Sequence, residues 1–141
     1  MTKNMAYTTV NNIIVALHNG SAPTEEEWAN YIKAVKRLDL TKIRAVAFTD
    51  GGAPDSKQRK ELNEILNSRP SPGVVVSSST VVRSVVTALT WFNPLVKAFA
   101  PDRTAEAWEY LKLTQFEIDA IRTQVRAISL HFSPPLRCVA L

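Results

Sequence analysis

The sequence predicts an α/β fold, a four- or five-stranded mixed sheet with helical crossovers and an additional C-terminal helix. Three observations carry this. Short apolar runs alternate with amphipathic stretches along most of the chain, several of those stretches open with a helix-capping pattern, and the breaks between them are Gly, Pro and Asn clusters. With 141 residues, 45% of them hydrophobic and 21% charged, the chain has the composition of one globular domain with a sizeable core.

The first elements read as a hairpin and a helix. Ala6 to Val10 and Ile13 to Leu17 are strand-like and flank Asn11-Asn12, a pair that tolerates the positive φ of a tight hairpin turn. His18-Asn19-Gly20-Ser21 is a loop. Thr24 with Glu27 forms a capping box that opens a helix to about Leu38, and Trp28, Ile32, Val35 and Leu38 fall on its core side.

The next stretch, Ile43 to Leu66, is the one that most resembles a site. An apolar run from Ile43 to Phe48 stops at Asp50, Gly51, Gly52 and Pro54 break the chain, and a helix starts near Ser56 under an Asp55 or Ser56 cap. Its core side is Leu62, Ile65 and Leu66, and its wet side carries Lys57, Arg59, Lys60, Glu61 and Glu64. In an open α/β sheet, ligands and partners are received at the carboxyl ends of the strands, so this loop is the first candidate site. Val74 to Val76 form a short strand of the kind buried on both faces. Ser77 to Thr80 come next, and then a helix from about Val81 to Phe92 with Val82, Val85, Val86 and Leu89 inward. Trp91-Phe92 ends it as core or as a docking patch, core being favoured.

Leu95 to Ala100 is a last strand, Ala105 to Leu111 a helix, and Thr114 with Glu117 caps a final helix to about Leu130. Phe116, Ile118, Ile121, Val125 and Ile128 are its apolar stripe, which must be covered by the domain or by a second copy, making a homo-oligomer through this helix one expectation. A tail with Pro134-Pro135 closes the chain. Residues 1–113 make the α/β domain, and 114–141 add a helix and tail to the same unit.

Several function classes are argued against. Seventeen Lys and Arg against thirteen Asp and Glu give a formal charge of +4, but the basic residues are scattered, as on a solvated surface, and not gathered as a nucleic-acid footprint. The single cysteine, Cys138, excludes an internal disulfide and fits a reducing compartment. The first ten residues lack the pattern of a signal peptide, and no apolar run approaches the ~20 residues that cross a bilayer, so the expectation is a cytoplasmic protein without membrane insertion. His18 and His131 share no ligand spacing, each reading as a surface or satisfied histidine, and no metal or cofactor is expected. No P-loop, GxGxxG or GxSxG motif occurs, so enzyme chemistry has no positive support. A receiver-type phosphoacceptor role for Asp50 would need an acidic pair ending the first strand, and here that end reads Leu17-His18-Asn19.

Taken together, TDGGAPDSKQR, VVVSSSTVVRSVVTAL and KAFAPDRTAEAWEYL, in the order hairpin, helix, then alternating strands and helices, resemble the STAS-like domains of bacteria, relatives of the anti-sigma-factor antagonists. The resemblance spans about residues 5–113. It implies that the loop after the central strand is a regulatory surface, in which a Ser or Thr directly after an Asp is phosphorylated by a partner kinase that is also an anti-sigma factor. In this chain Gly51 and Gly52 stand there, leaving Thr49 and Ser56 as the candidate acceptors.

The binding candidates are therefore Asp50, Gly51, Gly52, Ser56 and Arg59 on one loop, with Ser78, Ser79 and Arg83 on the next. The helix start near Ser56 offers free N–H groups for an anion or an acidic side chain. Simple alternatives are a glycine turn, serine N-capping, and arginines paired with carboxylates. Two functions are compatible with these residues: a non-enzymatic regulatory or scaffolding module that binds a protein partner through these loops, or a small-ligand or nucleotide-binding domain that uses them as an anion site.

Overall fold

The computed structural model describes residues 3–80, 82–83 and 94–139. Strands β1 (Met5–Val10), β2 (Ile13–His18), β3 (Arg44–Thr49), β4 (Gly73–Val76) and β5 (Val96–Phe99) form one sheet in the order β1-β2-β3-β4-β5. β1 and β2 pair antiparallel, and the other three pairings are parallel, so the sheet is mixed. The hairpin turns at Asn11, whose φ is 52°, the left-handed conformation for which Asn is suited.

Helix α1 (Glu25–Lys36) connects β2 to β3, and α2 (Ser56–Ile65) connects β3 to β4. Both open with complete capping boxes, Thr24 with Glu27 and Asp55 with Gln58. On this face of the sheet, Met5, Ile14 and Ala16 pack with Trp28, Tyr31, Ile32 and Val35, and Leu62, Ile65 and Leu66 lie half-buried beside them. Trp28 stacks on Tyr31 with ring centroids 5.1 Å apart, and its indole N–H donates to Glu61 Oε1 at 2.8 Å, joining α1 to α2. Most of the helix from about Val81 to Phe92 expected between β4 and β5, with its Trp91-Phe92 end, lies outside the described residues. Its start is within them: Ser79 Oγ accepts from the Val82 N–H, an N-cap contact.

Helices α3 (Thr104–Tyr110), entered through a short 3-10 turn (Pro101–Arg103), and α4 (Gln115–Ser129) cover the opposite face. Val15, Leu17, Val46, Phe48, Val74 and Val76 meet Trp108 and Leu111 of α3, Ile121 and Val125 of α4, and Phe132, Leu136 and Cys138 of the tail. The final helix thus packs on β1 and β2 of its own domain, and the tail is part of the core.

One residue of the expected stripe is elsewhere. Phe116 is exposed, because it lies five residues before Ile121 and so about 140° around the helix from it. Its inward place is taken by Glu117, buried, whose carboxylate accepts from Asn11 Nδ2 at 3.1 Å and pairs with Arg44 at 3.4 Å. Arg44 also donates to the Leu111 carbonyl at 2.7 Å. Desolvation pushes the Glu117 carboxyl upward, but the Thr114 N–H, Asn11 and Arg44 prevail and hold it below the usual carboxylate range. This cluster ties the start of α4 to the hairpin turn and to β3.

Ile121 is fully buried under the sheet, so Ile121→Ala should cost about 2 to 5 kcal/mol in urea denaturation, whereas Phe116→Ala should change stability by less than ~0.5 kcal/mol.

Candidate functional site

The carboxyl ends of β2, β3, β4 and β5 lie at one edge of the sheet, and adjacency of β3 and β4 brings the loop after Thr49 beside the loop after Val76. The two groups of candidate residues therefore form one rim.

In the first loop the glycines have separate tasks. Gly51 has φ 133°, a conformation that L side chains rarely adopt. Gly52 is crossed by the β2–α1 loop: a Cβ there would stand 2.1 Å from the Ser21 carbonyl oxygen and 2.5 Å from that of Asn19, and its N–H donates to the Asn19 carbonyl at 2.8 Å. Thr49 is buried, its hydroxyl donating to the Gly52 carbonyl and accepting from the Gly51 N–H. It is closed off within the turn, while Ser56 is exposed at the first turn of α2.

The N–H groups expected to be free at the start of α2 are partly engaged. Asp55 is the N-cap, and its carboxylate accepts from the Gln58 N–H at 2.8 Å, so a negative charge already sits at this helix end. Arg59, exposed, folds back to donate to the Pro54 carbonyl at 2.6 Å and to Ser56 Oγ at 3.2 Å. On the second loop Ser77 Oγ accepts from the Ser79 N–H, Arg83 is half-buried and donates to the Ser77 carbonyl at 2.8 Å, and Ser78 is exposed.

Asp50 is held from a part of the chain that its own surroundings do not foretell. Its carboxylate accepts from the backbone N–H of Arg137 at 2.9 and 3.1 Å and from that of Cys138 at 2.8 Å. The tail is thereby fastened across the rim, which brings exposed Arg137 to it. Burial first, and then the Asp50 charge and a hydrogen bond to it, push the Cys138 thiol well up, so it stays protonated.

His18 corrects a sequence expectation. It is neither on the surface nor satisfied: it is 5% exposed, and among the described residues its Nδ1 has no hydrogen-bond partner. It continues the Ile14, Ala16 alternation toward α1, and burial lowers its pKa to about 4 against an upward pull from Glu27. Glu27 is itself pushed up by desolvation, but the N–H donors of Thr24, Met5 and Asn4 hold it below the ordinary range. His131 is exposed.

Among the described residues, no group of three or more His, Cys, Asp or Glu side chains could hold a metal ion, and no helix is long and apolar enough to cross a membrane. A groove of about 730 Å³ lies between α1 and α2, bordering the rim at Asp55 and Lys57. Its lining mixes Lys33, Lys36 and Lys60 with Glu25, Glu61 and Glu64 and has no single sign of charge. Comparison of the chain with protein-family models, with curated proteins and with solved structures finds no match.

Two outcomes check this geometry. Gly52→Ala should destabilise the fold by about 2 kcal/mol or more, since backbone must move to admit the methyl group. The acid dependence of stability should carry a His18 component. The unfolded chain takes up a proton near pH 6.5 and the folded chain only near pH 4, so stability falls as pH drops through that window, by on the order of 3 kcal/mol in all. Denaturant titrations at pH 7 and near pH 4 should show His18→Gln losing less stability on acidification than the parent chain.

Proposed function

We infer that the protein is a non-enzymatic regulatory or scaffolding module whose rim, at the carboxyl ends of β3 and β4, docks a protein partner. The observation that carries this reading is how the rim's polar groups are disposed. The amino end of α2 is capped by Asp55 and the carboxylate of Asp50 is taken by the tail, while Gly51, Ser56, Arg59, Ser78 and Arg137 remain exposed on the two loops and the tail. Such a surface suits contact with another protein, with arginines facing an acidic patch. The competing reading, a small-ligand or nucleotide site, is disfavoured because an anion at α2 would meet the Asp55 carboxylate.

The resemblance to STAS-like domains supports the same reading, since there the corresponding loop is the regulatory surface. A phosphoswitch in this chain would use Ser56 in preference to Thr49. Ser56 is exposed to a modifying enzyme, whereas Thr49 is enclosed by Gly51 and Gly52.

Affinity purification from source cells, then reconstitution with the purified partner, tests this. Arg59→Ala and Arg137→Ala should fold as the parent chain does, and at least one should weaken the reconstituted complex by ~2 kcal/mol. Arg83→Ala should lower stability as well, because, unlike the exposed Arg59, this arginine is half-buried where it donates to the Ser77 carbonyl. Normal binding by both exposed-arginine variants would refute the proposal. A large rise in melting temperature with nucleotides or phosphorylated small molecules would favour the ligand reading instead.

A further inference from the structure

The outward face of α4 carries a second apolar stripe, separate from the rim and opposite the face that packs on the sheet. At about 100° of turn per residue, Phe116, Thr123, Ala127 and Leu130 lie within ~40° of the direction opposite Val125, with Ala120, half-buried against the core, at the edge of the band. The ends of the stripe are large and bare: Phe116 is 71% exposed and Leu130 at the helix C-cap 84%. Between them the residues are small, so that another helix could approach closely. Phe116, Asp119, Ala120 and Thr123, spaced i, i+3, i+4 and i+7, line a depression of about 340 Å³, the spacing of a hole that receives a side chain from a facing helix.

The charges select the occupant. Asp119 and Arg126, both exposed, flank the stripe on the same side, one toward each end. When two α4 helices are laid antiparallel about a two-fold axis near Thr123, Phe116 of one copy comes to the level of Leu130 of the other. The same operation sets Asp119 beside the other copy's Arg126, twice. The stripe is thus complementary to itself in both apolar ends and charge, as an isologous interface requires. We propose that the exposed face of α4 is a homodimerisation surface, in which two copies of this chain pair antiparallel through Phe116, Leu130 and reciprocal Asp119–Arg126 contacts.

Sedimentation velocity of the full chain over a wide concentration range tests it. The expected result is a monomer–dimer equilibrium in the parent chain, weakened ~10-fold or more by Phe116→Ser or Leu130→Ser. Asp119→Arg and Arg126→Asp should each weaken association, and the two together should recover it, an outcome that general surface stickiness would not produce. These positions are exposed, so circular dichroism and melting temperature should stay near the parent values, and should a serine variant fail to fold, the charge exchange decides. A parent chain that keeps the monomer mass at every concentration overturns the proposal, whether or not another protein or a lipid vesicle proves to bind the stripe. So does a double exchange that fails to recover association.

Discussion

Every side chain of β2 from Ile13 to His18 is buried, alternately toward α1 and toward α4, so neither face of this strand can be left to water. That constraint organises the domain. A strand apolar on both sides is stable only inside three layers, and the chain supplies them unequally in sequence. The crossovers α1 and α2 cover one face as a by-product of keeping the strands parallel. The other face is covered by the segment after β5, namely α3, α4 and the tail, held by the Glu117–Arg44–Asn11 cluster at one end and by Asp50 at the other.

The elements are legible in the sequence where local chemistry sets them. Capping boxes at Thr24 and Thr114 and the Asp55 cap fix helix starts through contacts spanning three residues, and Asn11 marks the hairpin turn for a similar local reason. Phe116 misleads because proximity to Ile118 and Ile121 in the sequence looks like a stripe until rotation per residue is counted. His18 misleads as well: its alternation with Ile14 and Ala16 points inward, but the Asn19-Gly20-Ser21 turn residues that follow draw it into the loop, and its burial is missed. The Asp50 contact is not legible: 87 and 88 residues separate the carboxylate from its donors, and the donors are backbone groups, which carry no residue-type signal.

At the rim, the same groups that look available for binding in the sequence are partly consumed in holding the loops. Arg59 and Arg83 each close their own turn, Asp55 completes α2, and Gly52 lets two backbones touch. A rim made of satisfied turns is preorganised, so a protein partner of the kind proposed would lose little conformational freedom on docking, and its specificity would rest on the exposed Arg59, Arg137, Ser56 and Ser78.

The strand order β1-β2-β3-β4-β5 matches the order of synthesis, so each strand can add to a neighbour already made. The sheet can grow vectorially as the chain leaves the ribosome, with α1 and α2 closing one side as they emerge. Residues 115–129 come too late for that. Until α3, α4 and the tail have all emerged, Val15, Leu17, Val46 and Phe48 would present an incompletely covered apolar face on the nascent chain, the kind of surface on which chaperones and neighbouring nascent chains compete.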